Sequence, residues 1–211
     1  MGGRGSSSGS DIKDGSGRNI TVLSTDNLIS RRERYQKEVD ETLTVLRHVN
    51  NEFGVIVDDA HVAKLAKKDQ AVMAYYDREG NIAVNEAFFD NAKIEAAYDS
   101  CVRAGFHPSR GDNSAMQAVI AHEMGHRIND VIAQNAGRDM DRIAGVICRS
   151  AASKLGIKGT KALAAKISGY AKESHTETIA EAYADVYCNG SNASAASRAV
   201  VAELKSWFKN K

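Results

Sequence analysis

Several features that settle a protein's class at once are missing from this chain. Its three cysteines, Cys101, Cys148 and Cys188, are odd in number and far apart, with no CxxC pair. That argues against a disulfide framework or a cysteine zinc site and points to buried thiols in a reducing compartment. An excess of one charge is missing too: Lys plus Arg number 28 and Asp plus Glu 27, a net charge of +1. No global field therefore draws the chain onto nucleic acid or an anionic membrane. No apolar run approaches the ~20 residues of a membrane helix, and Gly and Ser stand where a signal peptide carries its apolar stretch. The expectation is a soluble, cytoplasmic protein with neither nucleic acid nor membrane as partner. Proline occurs once, at Pro108 in the polar loop GFHPSRGDN, and internal repeats are absent.

What remains is an ordinary globular balance, 43% hydrophobic and 26% charged over 211 residues, enough for one large core. Residues 1–19 carry only Met1 and Ile12 as large apolar side chains and read as a disordered tail. Residues 20–211 read as a single domain, with a helix and small sheet over 20–110 and a helical half over 111–211. From Leu28 to Phe53, apolar residues recur every three or four positions and predict one long helix, capped by Ser24 or Asp26. Val55–Val57 predict a short buried strand, and 59–67 a short helix. AVMAYYD and IAVNEAFF flank Gly80 and Asn81 and predict a hairpin. Beyond Asn91 the periodicity predicts helices over 92–104, 113–129, 131–155, 161–170, 176–188 and 193–209, the second capped by Asp112 or Asn113. The fold class is α+β, a small N-terminal mixed sheet followed by a mostly helical C-terminal half.

The second of those helices contains AVIAHEMGHRIND, and so His122, Glu123 and His126 in the pattern HExxH. Four residues advance a helix by ~6 Å and only ~40° past a full turn, so the two imidazoles project side by side and can chelate one metal. Glu123, ~100° around the same turn, is placed to act on a metal-activated water as general base. Zinc hydrolases use three protein ligands, so a third must come from elsewhere. The metzincin continuation needs Gly and His where this chain has Asn129 and Ile132. The remaining option is a carboxylate from a later helix. In SGYAKESHTETIAEAYADVY, Glu177, Glu181 and Asp185 recur every four residues on one face. Three stacked acids repel one another unless a cation or histidines lie opposite.

HEMGH followed by SGYAKESHTETIAEAYAD resembles the gluzincin metallopeptidases, especially the group that includes the catalytic domain of anthrax lethal factor and related phage and prophage domains. The resemblance covers roughly 119–186. It implies a zincin-like fold, a zinc cofactor and a peptide or protein substrate. It also implies that Glu177 is the zinc ligand, that Glu181 orients a ligating histidine, and that Tyr170 faces the substrate carbonyl. Thr178 and Ile179 depart from the usual aromatics, and Tyr183 stands for Phe. A thermolysin-type register would instead map the ligand and its supporting acid onto Glu181 and Asp185. Glu177 is preferred because only that choice also accounts for Tyr170, taken as two helical turns upstream and nearly in phase.

The expected function is thus a zinc-dependent endopeptidase, with metal ligands His122, His126 and Glu177 and catalytic Glu123 and Tyr170. Glu181 and Asp185 stand behind the ligands, and IAVNEAFF is the candidate substrate-binding edge strand. The alternative is a phage structural or assembly protein that keeps the zinc fold without turnover, with virion components as partners. His48 and His61, read in helices, are taken as surface or core residues. His107 is taken as a capping or packing residue, and His175 as a remote candidate for the site.

Overall fold

The computed structural model describes residues 11–13, 19–21, 26–66 and 69–209. Most of 1–19, expected as a tail, lies outside the described residues. Asp11–Lys13 (β1), inside that stretch, pairs antiparallel with Asn19–Thr21 (β2), which overlaps it only at Asn19. The helix expected over 28–53 is two helices, α1 at Asp26–Ser30 and α2 at Gln36–Phe53. Residues 31–34 are Arg-Arg-Glu-Arg and offer no apolar side chain to bury, so the helix gives way to a turn there. The apolar stripe of α2 is as its spacing requires, with Val39, Leu43, Leu46, Val49 and Phe53 buried.

Between residues 54 and 63 two expectations change places. Val55 and Val57 are buried but lie outside any sheet. The strand is Asp59–Ala63 (β3), where a helix was expected. In DAHVA the side chains alternate, Ala60 and Val62 buried and their neighbours half-buried, the period of two that a strand imposes. The predicted hairpin forms from Ala74–Tyr76 (β4) and Asn81–Asn85 (β5), which pair antiparallel. Its turn takes positive φ at Arg78 and Gly80 rather than at Asn81. β3 joins β5 in parallel, so the order is β3-β5-β4. This overturns the edge-strand expectation: the strand within IAVNEAFF is central, with four of its five residues buried, and β4 is the edge beside the helical body.

Six helices follow: α3 (Asn91–Arg103), α4 (Ala115–Asn135), α5 (Met140–Lys154), α6 (Thr160–Ala164), α7 (His175–Asn189) and α8 (Ala195–Lys209). The cap of α4 is Ser114, one residue later than expected, in a reciprocal capping box with Gln117. α4 runs on to Asn135. The helix expected over 131–155 begins only at Met140, because Gly137 takes φ 60° and the Asp139 side chain caps a new start. Buried on nearly all sides, α4 packs against α2, α3, α5, α7 and β4. Among the described residues no helix is long and apolar enough to cross a membrane.

α4 and α7 meet at closest range where Gly125 faces Ala180. A Cβ on Gly125 would lie 2.7 Å from the Ala180 Cα and 3.2 Å from the Tyr183 Cβ. Alanine in a helix ordinarily improves on glycine by ~1 kcal/mol; here it has to push two backbones apart. Gly125→Ala is expected to destabilise the fold by about 1–3 kcal/mol in urea unfolding. A gain in stability would show that the helices yield at no cost.

Candidate metal centre

The N-terminal half of α7 brings its acids onto the exposed ends of the α4 histidines. Ser174 caps α7 by accepting the Glu177 amide at 3.0 Å, which fixes Glu177 in the first turn. Its Oε2 lies 3.1 Å from His122 Nε2 and 3.4 Å from His126 Nε2. One ligand atom from each of the three residues falls within 4.8 Å of the others. Ligand atoms ~2.0–2.1 Å from a tetrahedral zinc are ~3.3 Å apart, so these separations are those of a coordination shell. Glu177 Oε2 is also buried, with the two imidazole nitrogens as its nearest polar neighbours, a position that favours a cation between them. The donor set of two imidazoles and a carboxylate fits zinc.

The charges of the site agree with that fit. Burial opposes ionisation of Glu177, yet the imidazoles of His122 and His126 outweigh it and hold the carboxyl well below the usual range. Burial likewise disfavours a charged His122, but Glu177 and Glu181 outweigh it and raise its pKa well above that of a free imidazole. A divalent cation takes the place of such a proton and lets neutral imidazoles coordinate.

Glu181, one turn further along α7, is 1% exposed and has both oxygens engaged. Its Oε1 contacts His122 Nδ1 at 2.8 Å and His107 Nδ1 at 3.0 Å, and its Oε2 accepts the Ser168 hydroxyl at 2.7 Å. Burial penalises its charged form, and the bonds to His107 and His122 more than compensate, pulling its pKa to about 2. A carboxylate on the far nitrogen of His122 leaves Nε2 free to face Glu177. Asp185 is not part of this arrangement: it accepts from the Asn189 side chain at 2.8 Å and the Ser194 amide at 3.0 Å, joining α7 to α8.

Glu123 and Tyr170 face the same cleft as His122, His126 and Glu177. Burial raises the Glu123 pKa, with His122 and His126 opposing in part. Tyr170 stacks on the His122 ring, centroids 5.7 Å apart and planes at 22°. Burial, followed by the charge of Glu177, pushes its phenol to about 12, so it is a donor at neutral pH. It is not on α7 or in helical phase with Glu177. It opens a separate single turn, Tyr170–Lys172, held by two backbone bonds to the loop before α4: Gly169 N to Gly105 O at 2.8 Å and Tyr170 N to Phe106 O at 2.9 Å. A Cβ on Gly169 would come within 2.9 Å of that Gly105 oxygen, so the approach requires glycine.

The opposite wall is β4. The Tyr76 hydroxyl donates to Asp130 Oδ2 at 2.5 Å, and Arg127 reaches both the Ile56 carbonyl at 2.8 Å and the Tyr76 hydroxyl at 3.3 Å. These bonds fasten the edge strand to the helix that carries the histidines. His107, Ser168 and Tyr76 have no spacing that marks them in the sequence. His107 joins the site through Glu181 and stacks on Tyr98, rather than acting as a cap. His175 stays outside, bonded to Thr160 Oγ1 at 2.9 Å. His48 pairs with Glu52 on α2, and His61 lies on β3 rather than a helix, 2.7 Å from Asp59.

A family model, peptidase family M48, matches residues 33–188, whereas no curated protein and no solved structure matches the chain. The match runs from just before α2 to the last turn of α7 and takes in β4, the cleft and the whole His-His-Glu cluster. With well over half of its residues matched and a zinc-competent cluster inside the matched span, the chain belongs to peptidase family M48 and is a zinc metallopeptidase.

Proposed function

We propose that the protein is a gluzincin-type zinc endopeptidase in which His122, His126 and Glu177 hold the metal. Glu123 is the general base, Tyr170 the oxyanion donor, and Glu181 the support of His122. The observation that carries this reading is the buried Glu177 Oε2 set between two imidazole nitrogens, in one cleft with Glu123 and Tyr170. When bound, zinc supplies Lewis acidity to a water and to the scissile carbonyl. Glu123, made more basic by burial, receives the proton of that water and delivers it to the leaving amine. The neutral Tyr170 hydroxyl donates to the oxygen on which negative charge develops. β4 offers an edge to which an extended peptide can add as a strand. Backbone pairing of that kind needs no chain end, which favours internal cleavage.

The likeness to the lethal-factor group rests on the sequence spacing of Tyr170, Glu177 and Glu181 alone, and a phage or prophage setting rests on that likeness. The three thiols, none in a disulfide, suit a reducing cytoplasm. Against a role that is purely structural stands Glu123, a buried acid for which a closed structural zinc site has no use.

The protein is expected to bind about one zinc per chain, measured by metal analysis after dialysis. Zinc bound without cleavage of a broad peptide library would favour the structural alternative. Glu123→Gln should keep zinc and lose turnover, because an amide cannot accept the proton. Tyr170→Phe should keep zinc and lose about a hundredfold in kcat; an unchanged kcat removes Tyr170 from the chemistry.

The two acids of α7 should separate in a zinc titration. Glu177→Ala should abolish tight binding, whereas Glu181→Ala should weaken it only about 10- to 100-fold. The reverse order would shift the ligand one turn along α7.

A further inference from the structure

Of the described residues lining the cleft, Arg78 is the only lysine or arginine, and the mechanism makes no use of it. It lies in the turn between β4 and β5, two residues past Tyr76, whose backbone amide lies beside Glu123. Arg78 has φ 63°, and it is the only non-glycine residue with positive φ among the described residues. Side chains rarely tolerate that conformation, and it gathers at ligand clamps. The turn is held in place by Asp77. Its carboxylate accepts the amides of Glu79 at 2.8 Å and Asn81 at 3.0 Å, and the Asn81 side chain at 2.7 Å. The backbone therefore aims the guanidinium, while the side chain remains largely in solvent.

The partner of Arg78 is a weak one. Asp141, on the first turn of α5, approaches to 3.7 Å, with the two side chains 60% and 61% exposed. An ion pair so exposed holds little energy, and Asp141 also has the helix N-terminus to favour its charge. A guanidinium offers five donors in a fork suited to a carboxylate, and here they are mostly uncommitted at the mouth of a peptide cleft.

We propose that Arg78 is a specificity-determining residue that selects peptides with a carboxylate two to three residues from the scissile bond. In the free protein Asp141 occupies the place of that carboxylate. The register follows from the strand: an extended chain advances ~3.3 Å per residue. A peptide laid along β4 with its scissile bond at Glu123 therefore carries its second or third residue to Arg78. The inference rests on the peptidase reading above and names the substrates that the cleft prefers.

The test is a matched panel of peptides with Glu, Gln or Lys at each of three positions on either side of the scissile bond. Further members end in a free or an amidated C-terminus. With zinc-loaded protein, Glu at one position should raise kcat/KM about three- to fivefold over Gln, and Lys should lower it. The advantage should shrink in about 0.5 M salt. Arg78→Asn, a residue that tolerates positive φ, should bring the Glu-to-Gln ratio to about one, and Asp141→Asn should raise it. An advantage confined to the free C-terminus assigns the carboxylate to the chain end instead of a side chain. A wild-type ratio of one at every position and at the chain end overturns the proposal, as does a ratio that persists in Arg78→Asn. The same peptides are also titrated onto zinc-loaded Glu123→Gln protein by fluorescence anisotropy. If wild type cleaves nothing, the peptidase reading fails by itself, and the Glu-to-Gln preference in binding still decides the role of Arg78.

Discussion

Where Gly125 faces Ala180, α4 and α7 pack with no side chain between their backbones, and the placement of every acid at the centre follows from that contact. Glu177 and Glu181 are short of reach: a carboxylate on two methylenes meets an imidazole only if its helix lies close. The small residues Ala180 and Ala184 on α7, both buried, keep the approach tight along that face. A glycine between the two histidines is thus as much a part of the cluster as the side chains that would bind the ion. α4 is buried on most of its surface because β4 and the helices α2, α3, α5 and α7 all pack against it.

The polar groups trapped by this packing compensate one another. Glu181 gathers two imidazoles and a hydroxyl, Asp130 takes a tyrosine and a glutamine, and Arg127 donates to the Ile56 carbonyl between α2 and β3. Buried ionisable groups are tolerable when so paired. Glu177 Oε2 is held differently: its nearest polar neighbours are the Nε2 atoms of His122 and His126, at 3.1 and 3.4 Å. Within one helix turn, Glu181 has both oxygens taken up by hydrogen bonds, whereas Glu177 faces the two histidines across the cleft.

The parts of the molecule written in local pattern were legible from the chain. HExxH at helical spacing, two of the three acids spaced every four residues, and the hairpin around Gly80 all depend on residues close in sequence, and these form as read. The errors fall where tertiary contact decides. DAHVA has no strong helical or strand preference and becomes β3 because β5 lies beside it to be paired. Val55–Val57 has strand propensity without a free partner. Tyr170 faces the cleft, but by backbone bonds to 105–106 instead of helical phase, and no spacing rule records a contact across more than sixty residues. Asp185 shares the period of Glu177 and Glu181 and still turns away, because the start of α8 needs an acceptor. His107 and Ser168 are single polar residues in loops, whose purpose exists only once Glu181 is opposite them.

His126 and Glu177 belong to different helices, and about fifty residues of chain, including all of α5 and α6, run between them. An ion held by both ties the ends of that loop together, restricting the unfolded chain in the manner of a covalent bridge, with the difference that a chelator can take it out. With an ion bound there, a chain whose three cysteines are all free would carry a cross-link made of one atom and removable without reduction.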